Sequence, residues 1–78
     1  MTLKIISTTE VVFEGTVSAV MLPGSMGRFT VLEHHASLVS TLAAGKIVYR
    51  LPDGTEDTYA VNGGIADIDN NVVSVCIY

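Results

Sequence analysis

Short segments in which apolar and polar residues alternate cover most of this chain. The clearest one spans residues 46–51, where Ile47, Tyr49 and Leu51 fall on one side. A period of two is typical of a β-strand that has one buried face and one solvated face. The pattern therefore predicts a strand at residues 46–51, with Ile47, Tyr49 and Leu51 in the core.

The same reasoning predicts strands in most other segments and no helix. Residues 38–43 contain several β-branched side chains and no capping pattern, so we interpret them as a strand. In the first strand Leu3 and Ile5 share one face, while Ile6 on the other face suggests that both faces meet apolar groups. The predicted strands are residues 3–7, 11–13, 16–22, 28–31, 38–43, 46–51, a segment containing Tyr59 and Val61, 65–68 and 72–77.

Turn signals separate these segments. Pro52-Asp53-Gly54-Thr55 is typical of a β-hairpin, because Asp-Gly readily takes the positive φ angles that match the twist of paired strands. We expect Tyr59 and Val61 to pair back with Ile47 and Tyr49.

Three further glycine-containing sites are expected to shape the backbone. Glu14-Gly15 predicts a reversal after the second strand, and Pro23-Gly24 with Gly27 predicts a short polar loop. Asn62-Gly63-Gly64 lies between apolar strand residues, which predicts a bulge or a close approach of another segment of backbone.

These elements predict an all-β fold in one domain that spans residues 1–78. About eight to ten short strands separated by turns are typical of an antiparallel two-sheet β-sandwich or a flattened barrel. The composition agrees, because 49% of the residues are hydrophobic, only 6% are aromatic and Trp is absent. The core must therefore consist mainly of Val, Ile, Leu and Ala, and the β-branched residues among these favour strands.

Charge and cysteine content narrow the class of protein. The net charge is −4 and the four fixed cations, Lys4, Arg28, Lys46 and Arg50, are dispersed, so nucleic-acid binding is not expected. The single cysteine, Cys76, favours a reducing compartment, and we expect it to be buried as a small apolar residue. No apolar run reaches the ~20 residues of a membrane span, and no signal peptide is evident, so we expect a soluble protein or one held at a membrane through a partner.

Glu33, His34 and His35 form the only plausible cluster for catalysis or metal binding, because imidazole and carboxylate groups can bind zinc or transfer protons. Consecutive strand residues point to opposite faces, so we predict no metal site. We expect one imidazole to be solvated and that of His35 to bond backbone or a partner.

Asp67 and Asp69 lack the later glutamate of a calcium loop and are predicted to lie in a solvated turn. No nucleophile elbow or phosphate loop is present, so no catalytic residue or cofactor is predicted.

Five short motifs are spread over the chain in a fixed order. They are Val12-Phe13-Glu14-Gly15, Leu22-Pro23-Gly24, Gly27-Arg28-Phe29-Thr30-Val31-Leu32, His35-Ala36-Ser37-Leu38 and Val61-Asn62-Gly63-Gly64. Together they resemble the N-terminal β-sandwich domain of the epsilon subunit of rotary F-type ATP synthases, over essentially all 78 positions.

A few positions depart from the pattern of that family. Glu33-His34 stands where the family usually has Pro-Gly, Ser37 replaces a Pro, and Thr30 replaces a common Gly. These departures concern the shape of loops rather than the fold. Many family members also continue with a C-terminal helical hairpin, whereas this sequence ends at Tyr78.

The resemblance implies a rotor component in the central stalk of a proton-translocating ATP synthase, without catalysis or a cofactor of its own. Such a component would bind the gamma subunit and the ring of membrane c subunits. It would couple rotation of the ring to ATP synthesis. It would lie at the cytoplasmic face of the cell (inner) membrane as a peripheral part of the complex, without inserting into the membrane.

The resemblance also implies contact surfaces. The residues that would face the c ring are Ser25, Met26, Gly27 and Arg28. The residues that would face the gamma subunit are Ser7, His35, Ala36, Leu38 and Ser40, with Ser7 near the others. From the residues alone, Leu38 can equally be a core residue and Arg28 an exposed charge at a strand end.

Two other functions fit parts of the sequence. A carrier domain of the biotinyl or lipoyl type is also a small all-β module, but it presents a modified lysine at a hairpin tip. The Asp53-Gly54 tip has no lysine, and Lys46 lies at the start of a strand. A metal-dependent enzyme would use His34 and His35 and would retain its metal through dialysis.

Overall fold

The computed structural model describes all residues 1–78, which form nine β-strands and no helix. In chain order the strands are β1 (Thr2–Ile6), β2 (Val11–Thr16), β3 (Ala19–Leu22), β4 (Phe29–Leu32), β5 (Leu38–Leu42), β6 (Gly45–Arg50), β7 (Glu56–Val61), β8 (Gly64–Asp69) and β9 (Val72–Ile77). The all-β prediction is confirmed. No helix with the length and apolar character needed to cross a membrane is present.

The strands form two sheets that pack face to face. The five-stranded sheet has the order β2-β1-β9-β8-β5, and the four-stranded sheet has the order β4-β3-β6-β7. Neighbouring strands are antiparallel, except that β1 and β9 run parallel with Thr2 opposite Val72. The fold is therefore the two-sheet sandwich that the spacing of turns predicts.

Alternate residues of both sheets point into a core that contains no polar or charged side chain. On β8, for example, Ala66 and Ile68 are buried while Ile65 and Asp67 are exposed. Burying one large aliphatic side chain stabilises a fold by roughly 1.5–3 kcal/mol. One cluster contains Leu3, Ile5, Val17, Val20, Leu22, Val31, Leu42, Ile47, Tyr49, Val61, Ala66, Ile68, Val73, Val75 and Ile77.

The hairpin of β6 and β7 confirms one of the two predicted pairings. Tyr59 faces Ile47 as expected, but Val61 faces Gly45 rather than Tyr49. In an antiparallel hairpin, a residue farther from the turn on one strand faces a residue farther from the turn on the other. Val61 therefore cannot reach Tyr49 once Tyr59 faces Ile47.

Gly15 does not reverse the chain, so this prediction is wrong. It lies inside β2 opposite Leu3 of β1, and its φ angle is not positive. A Cβ at this position would lie 3.2 Å from Cζ of Phe13, because the phenyl ring folds over the glycine. Gly15 therefore provides space for an aromatic ring in the strand.

The predicted close approach of backbone at Gly63 and Gly64 is confirmed. Gly64 pairs with Ile77 of β9, and its φ angle is 159°. A Cβ on Gly64 would overlap the carbonyl oxygen of Cys76. Only glycine allows β8 and β9 to pair so closely here.

Cys76 is exposed, which corrects the prediction that it is buried. Its neighbours Val75 and Ile77 point into the core, so the alternation along β9 turns Cys76 to the outer face of the five-stranded sheet. The position of the residue in the strand therefore outweighs the general tendency of cysteine to be buried.

The connecting loops gather at two opposite ends of the sandwich. At one end, the Ser25 end, the Ser25 amide donates to the carbonyl of Thr41 at 2.9 Å. At the other end, the His34 end, the loop between β4 and β5 contacts Met1 and the β8–β9 turn. Leu38–Leu42 runs from the second end to the first, a length of about 13 Å at the usual rise of a strand.

Candidate functional site

The loop of residues 25–28 is exposed and braced at the Ser25 end. All four of its residues, Ser25, Met26, Gly27 and Arg28, are exposed, and Met26 is completely so. The amide of Gly27 donates to the carbonyl of Gly24 at 3.0 Å, and the hydroxyl of Thr41 donates to that of Ser25 at 2.9 Å. A fixed loop thus presents one long apolar side chain and one cation to solvent.

The outer face of the five-stranded sheet carries a row of mainly apolar residues near the Ser25 end. Val11 and Ile65 have 54% and 45% of their surface exposed. Contiguous exposed apolar side chains are typical of surfaces that bind other proteins. In strand order this outer row consists of Val11, Ile6, Cys76, Ile65 and Thr41.

An open apolar groove adjoins the outer row. Its volume is about 300 Å³, and its lining is mainly hydrophobic. The lining residues are Ile6, Ser7, Thr8, Ile65, Cys76, Ile77 and Tyr78. The groove and the outer row together form one continuous surface without charged side chains.

The structure separates residues that the sequence predicted to face one partner. His35 and Ala36 lie at the His34 end just before β5, whereas Ser7 follows β1 at the Ser25 end. Leu38 and Ser40 lie on the edge strand β5, where Leu38 is 39% exposed and Ser40 is half-buried. One small contact patch therefore cannot contain both Ser7 and His35.

Glu33 and His34 occupy the centre of a tight turn. The amide of His35 donates to the carbonyl of Leu32 at 3.2 Å and closes this turn. His34 has a φ angle of 59°, whereas that of Glu33 is not positive, which is the pattern of a type II turn. The left-handed conformation costs a residue with a Cβ roughly 1–2 kcal/mol, so glycine usually occupies it.

Side chains from distant parts of the sequence hold this turn. The side-chain oxygen of Asn71 accepts a hydrogen bond from the His34 amide at 2.9 Å, and its nitrogen donates to Oε2 of Glu33 at 2.9 Å. Oε1 of Glu33 accepts from the α-ammonium group of Met1 at 2.7 Å. The bond from Met1, followed by that from Asn71, lowers the pKa of Glu33. We call Met1, Glu33 and Asn71 the clasp.

The other end of the β4–β5 loop is bonded to the same hairpin. The Ser37 hydroxyl donates to the carboxylate of Asp69. Asn70 and Asn71 form the two-residue turn between β8 and β9, with φ angles of 50° and 62°, as a type I′ turn requires. A turn follows β8 as expected, but Asp67 and Asp69 belong to β8 rather than to the turn, which corrects their predicted position. The turn serves as a platform for the β4–β5 loop.

The two histidines differ in exposure and bonding. His34 is exposed, whereas His35 is half-buried and its Nδ1 lies 2.7 Å from the carbonyl oxygen of Ala36, so the prediction that it bonds backbone is confirmed. No group of three His, Cys, Asp or Glu side chains is arranged to hold a metal ion. The one hydroxyl nearby, that of Ser37, donates to Asp69 rather than to a histidine.

Sequence reasoning missed the extent of the outer row and the role of Asn71. The row gives a weak signal in Ile6, which follows the buried Ile5 and must face away from the core. Asn71 gives no signal, because its partners Glu33 and His34 lie 38 and 37 residues away in the sequence.

A family model for the ATP synthase, Delta/Epsilon chain, beta-sandwich domain matches residues 1–77. The ATP synthase epsilon chain of Sulfurovum sp. (strain NBC37-1) is 45% identical over 69 residues, which are 88% of this chain and 54% of that protein. The epsilon chain of Campylobacter fetus subsp. fetus (strain 82-40) is 41% identical over 75 residues, which are 96% of this chain and 58% of that protein. The chain thus spans little more than half the length of these curated relatives.

A solved structure contains a chain with the same fold. A chain in the OSCP/F1/c-ring assembly of the Euglena gracilis mitochondrial ATP synthase superposes with a TM-score of 0.91 at 26% sequence identity. The match covers 96% of this chain and 48% of that chain. These similarities are all to ATP synthase chains, so the carrier-domain alternative is set aside.

Proposed function

This chain belongs to the family of ATP synthase delta and epsilon chains, and on that premise we propose that it is a non-catalytic rotor component of the central stalk. It binds the gamma subunit and the ring of c subunits, and couples rotation of the ring to the catalytic head in proton-driven ATP synthesis. The observation that carries this proposal is the match of the family model to residues 1–77. The similarity to a chain in an F1/c-ring assembly supports it.

The packing of the domain suits a part that transmits torque. Its core is a single apolar cluster, and protein interiors packed in this way are close to the density of organic crystals and hardly compressible. The loop at the Ser25 end is hydrogen-bonded to β5, and the loop at the His34 end to the β8–β9 turn. Such a body resists deformation when a force acts between its ends.

The loop of residues 25–28 is the proposed contact with the c ring. Its exposed residues, Ser25, Met26, Gly27 and Arg28, present an apolar side chain and a cation on a braced turn. The chain has a net charge of −4 and only four fixed cations, and Arg28 is one of them. We assign Arg28 the electrostatic contact and Met26 the apolar one.

The gamma subunit contacts the five-stranded sheet and the loop that precedes β5 in this proposal. The assigned residues are Ser7, His35, Ala36, Leu38 and Ser40. Since Ser7 and His35 lie at opposite ends, the gamma segment must extend along the sheet, over a distance of more than about 13 Å. Leu38 and Ser40 are in register with the buried Ile68 and Ala66, so they lie on the inner side of the edge strand. The gamma segment must therefore contact this edge as well as the outer row.

The proposed location follows from these partners. The domain is a peripheral component at the cytoplasmic face of the membrane, held there by gamma and the c ring. It has no catalytic residue in this scheme, and ATP chemistry takes place on other subunits. The exposed surfaces described above serve only for docking.

The experiment that tests the proposal is direct binding of the purified chain to its cognate gamma subunit, measured by titration calorimetry. We expect one chain to bind per gamma subunit. Ile65→Asp, in the outer row, should weaken binding, whereas Thr58→Asp on the exposed strand β7 of the other sheet should not. Absence of binding by the folded wild-type chain would refute the proposed function.

A further inference from the structure

The β4–β5 loop is bonded at three positions to one hairpin, that of β8 and β9. Glu33 and His34 each bond to the side chain of Asn71, and Ser37 bonds to Asp69. The three positions are therefore linked to each other through the β8–β9 turn.

The residue types that favour a type II turn are absent from its two central positions, which Glu33 and His34 occupy. Proline fixes φ at the second position of a type II turn, and glycine freely adopts the positive φ required at the third. Glu33 has no ring that fixes its φ angle, and His34 is held at a φ angle of 59°, which residues with a Cβ rarely adopt. Some other interaction must select this conformation.

The clasp supplies that interaction through three hydrogen bonds. Asn71 fixes the peptide group of His34 with its oxygen and the carboxylate of Glu33 with its nitrogen, both at 2.9 Å. The α-ammonium group of Met1 holds the second oxygen of the same carboxylate at 2.7 Å. Both central residues of the turn are thus bonded to groups outside the loop.

We propose that Glu33 and Asn71 are positioning residues, which hold the β4–β5 loop in the conformation that docks on gamma. This inference rests on the proposed function. The conformation of His34 sets the direction in which the chain leaves the turn, and therefore sets where His35 and Ala36 lie. Side-chain hydrogen bonding in this protein does what Pro-Gly would do through backbone preference.

A pair of matched variants separates the clasp from the turn that carries it. Asn70→Gly and Asn71→Gly each place glycine in a type I′ turn, where glycine is favoured, so neither strains the hairpin. Only Asn71→Gly breaks the clasp, because the side chain of Asn70 hydrogen-bonds to the neighbouring Asp69 and not to the β4–β5 loop. Asn71→Gly removes both hydrogen bonds of this side chain to the turn, so we expect it to weaken gamma binding by about fivefold or more, and Asn70→Gly by less than about twofold.

A rescue experiment tests whether the clasp acts through the turn. In a background with Glu33→Pro and His34→Gly the turn holds itself, so the effect of adding Asn71→Gly should largely disappear. An equal loss of binding in both backgrounds would overturn the inference. So would equal binding by Asn70→Gly and Asn71→Gly.

Hydrogen exchange of the His35 amide tests the inference in the free chain, without the gamma subunit. The His35 amide closes the turn, so Asn71→Gly should speed its exchange while Asn70→Gly leaves it unchanged. Unchanged exchange in Asn71→Gly overturns the inference. If exchange responds and the wild type does not bind gamma, the proposed function fails, and with it the docking role of the clasp.

Discussion

The α-ammonium group of Met1 lies 2.7 Å from Oε1 of Glu33, and this pair joins the first residue to the turn between β4 and β5. The Met1 side chain is almost fully buried, whereas that of Glu33 is 46% exposed. Solvent therefore screens the carboxylate, and the value of the pair lies mainly in fixing geometry.

The lowered pKa of Glu33 predicts a pH-dependent contribution to stability. Because the ionised carboxylate is favoured in the folded state, its contribution is fully present above the ordinary value of 4.5 and is lost as pH falls through the lowered folded value. The melting temperature of the wild type should exceed that of Glu33→Gln at pH 7, and the difference should shrink below pH 4.5. A difference that stays constant from neutral to strongly acidic pH would contradict this assignment.

Gly64→Ala should be among the most damaging single-methyl changes in the chain. The added Cβ overlaps the Cys76 carbonyl and also strains the backbone, which together cost at least about 3 kcal/mol in the free energy of unfolding. The control is Gly54→Ala, where φ is 90° but no atom lies within 4 Å, so only strain of about 1–2 kcal/mol applies. Urea unfolding curves measure both, and equal losses would show that the close approach is not rigid.

Ile68 and Ile65 offer a matched test of the two faces of β8. Ile68 is 1% exposed, so Ile68→Ala should lower the free energy of unfolding by about 2–5 kcal/mol. Ile65 is 45% exposed, so Ile65→Ala should cost less than about 1 kcal/mol but weaken gamma binding. Chemical denaturation and binding titration separate the two effects. A large loss of stability in Ile65→Ala would mean that the outer row is packed within the free domain.

Cys76 should react with a thiol reagent in the native state. Its exposed position on the outer face predicts that one thiol per chain is modified without denaturant, and that circular dichroism does not change. A bulky label should weaken gamma binding, since Cys76 lies between Ile6 and Ile65 in the outer row. Cys76→Ser provides the unlabelled control. A thiol that reacts only after unfolding would show that this face is covered.

Arg28→Glu should leave the fold intact and affect coupling. Arg28 is exposed and forms no salt bridge, so its replacement should shift the melting temperature by only about 1 °C. In reconstituted membranes the ratio of proton pumping to ATP hydrolysis should fall. Arg50→Glu makes the same charge change at the far end of the four-stranded sheet and should leave this ratio unchanged. Normal coupling in Arg28→Glu would remove this residue from the proposed c-ring contact.

Local patterns in the sequence predict the strands but not all of their surroundings. The alternation of Ile47 and Tyr49 predicts β6 correctly because one face of a strand responds directly to burial. The prediction for Gly15 is wrong because a glycine that makes room for a ring looks the same in sequence as one that turns the chain. The prediction for Cys76 is wrong because its exposure follows the alternation of Val75 and Ile77 rather than the usual burial of cysteine.

The candidate site depends on contacts that sequence spacing does not report. The exposed loop of residues 25–28 can be predicted from Gly27, from the preceding Gly24 and from the polar character of the segment. The separation of Ser7 from His35 depends instead on the order of strands in the sheet, and the clasp depends on Asn71 reaching Glu33 across 38 residues. Such relations become visible only when the long-range pairing of strands is known.

The parallel pairing of β1 with β9 also determines when this protein can fold. The five-stranded sheet joins Thr2 to Val72, so β9 must be synthesised before it can pair with β1. Folds dominated by such distant contacts close slowly, typically in milliseconds to seconds. Until then the apolar faces of the earlier strands remain open to chaperones or to other nascent chains. The five-stranded sheet can therefore close only after β9 has left the ribosome.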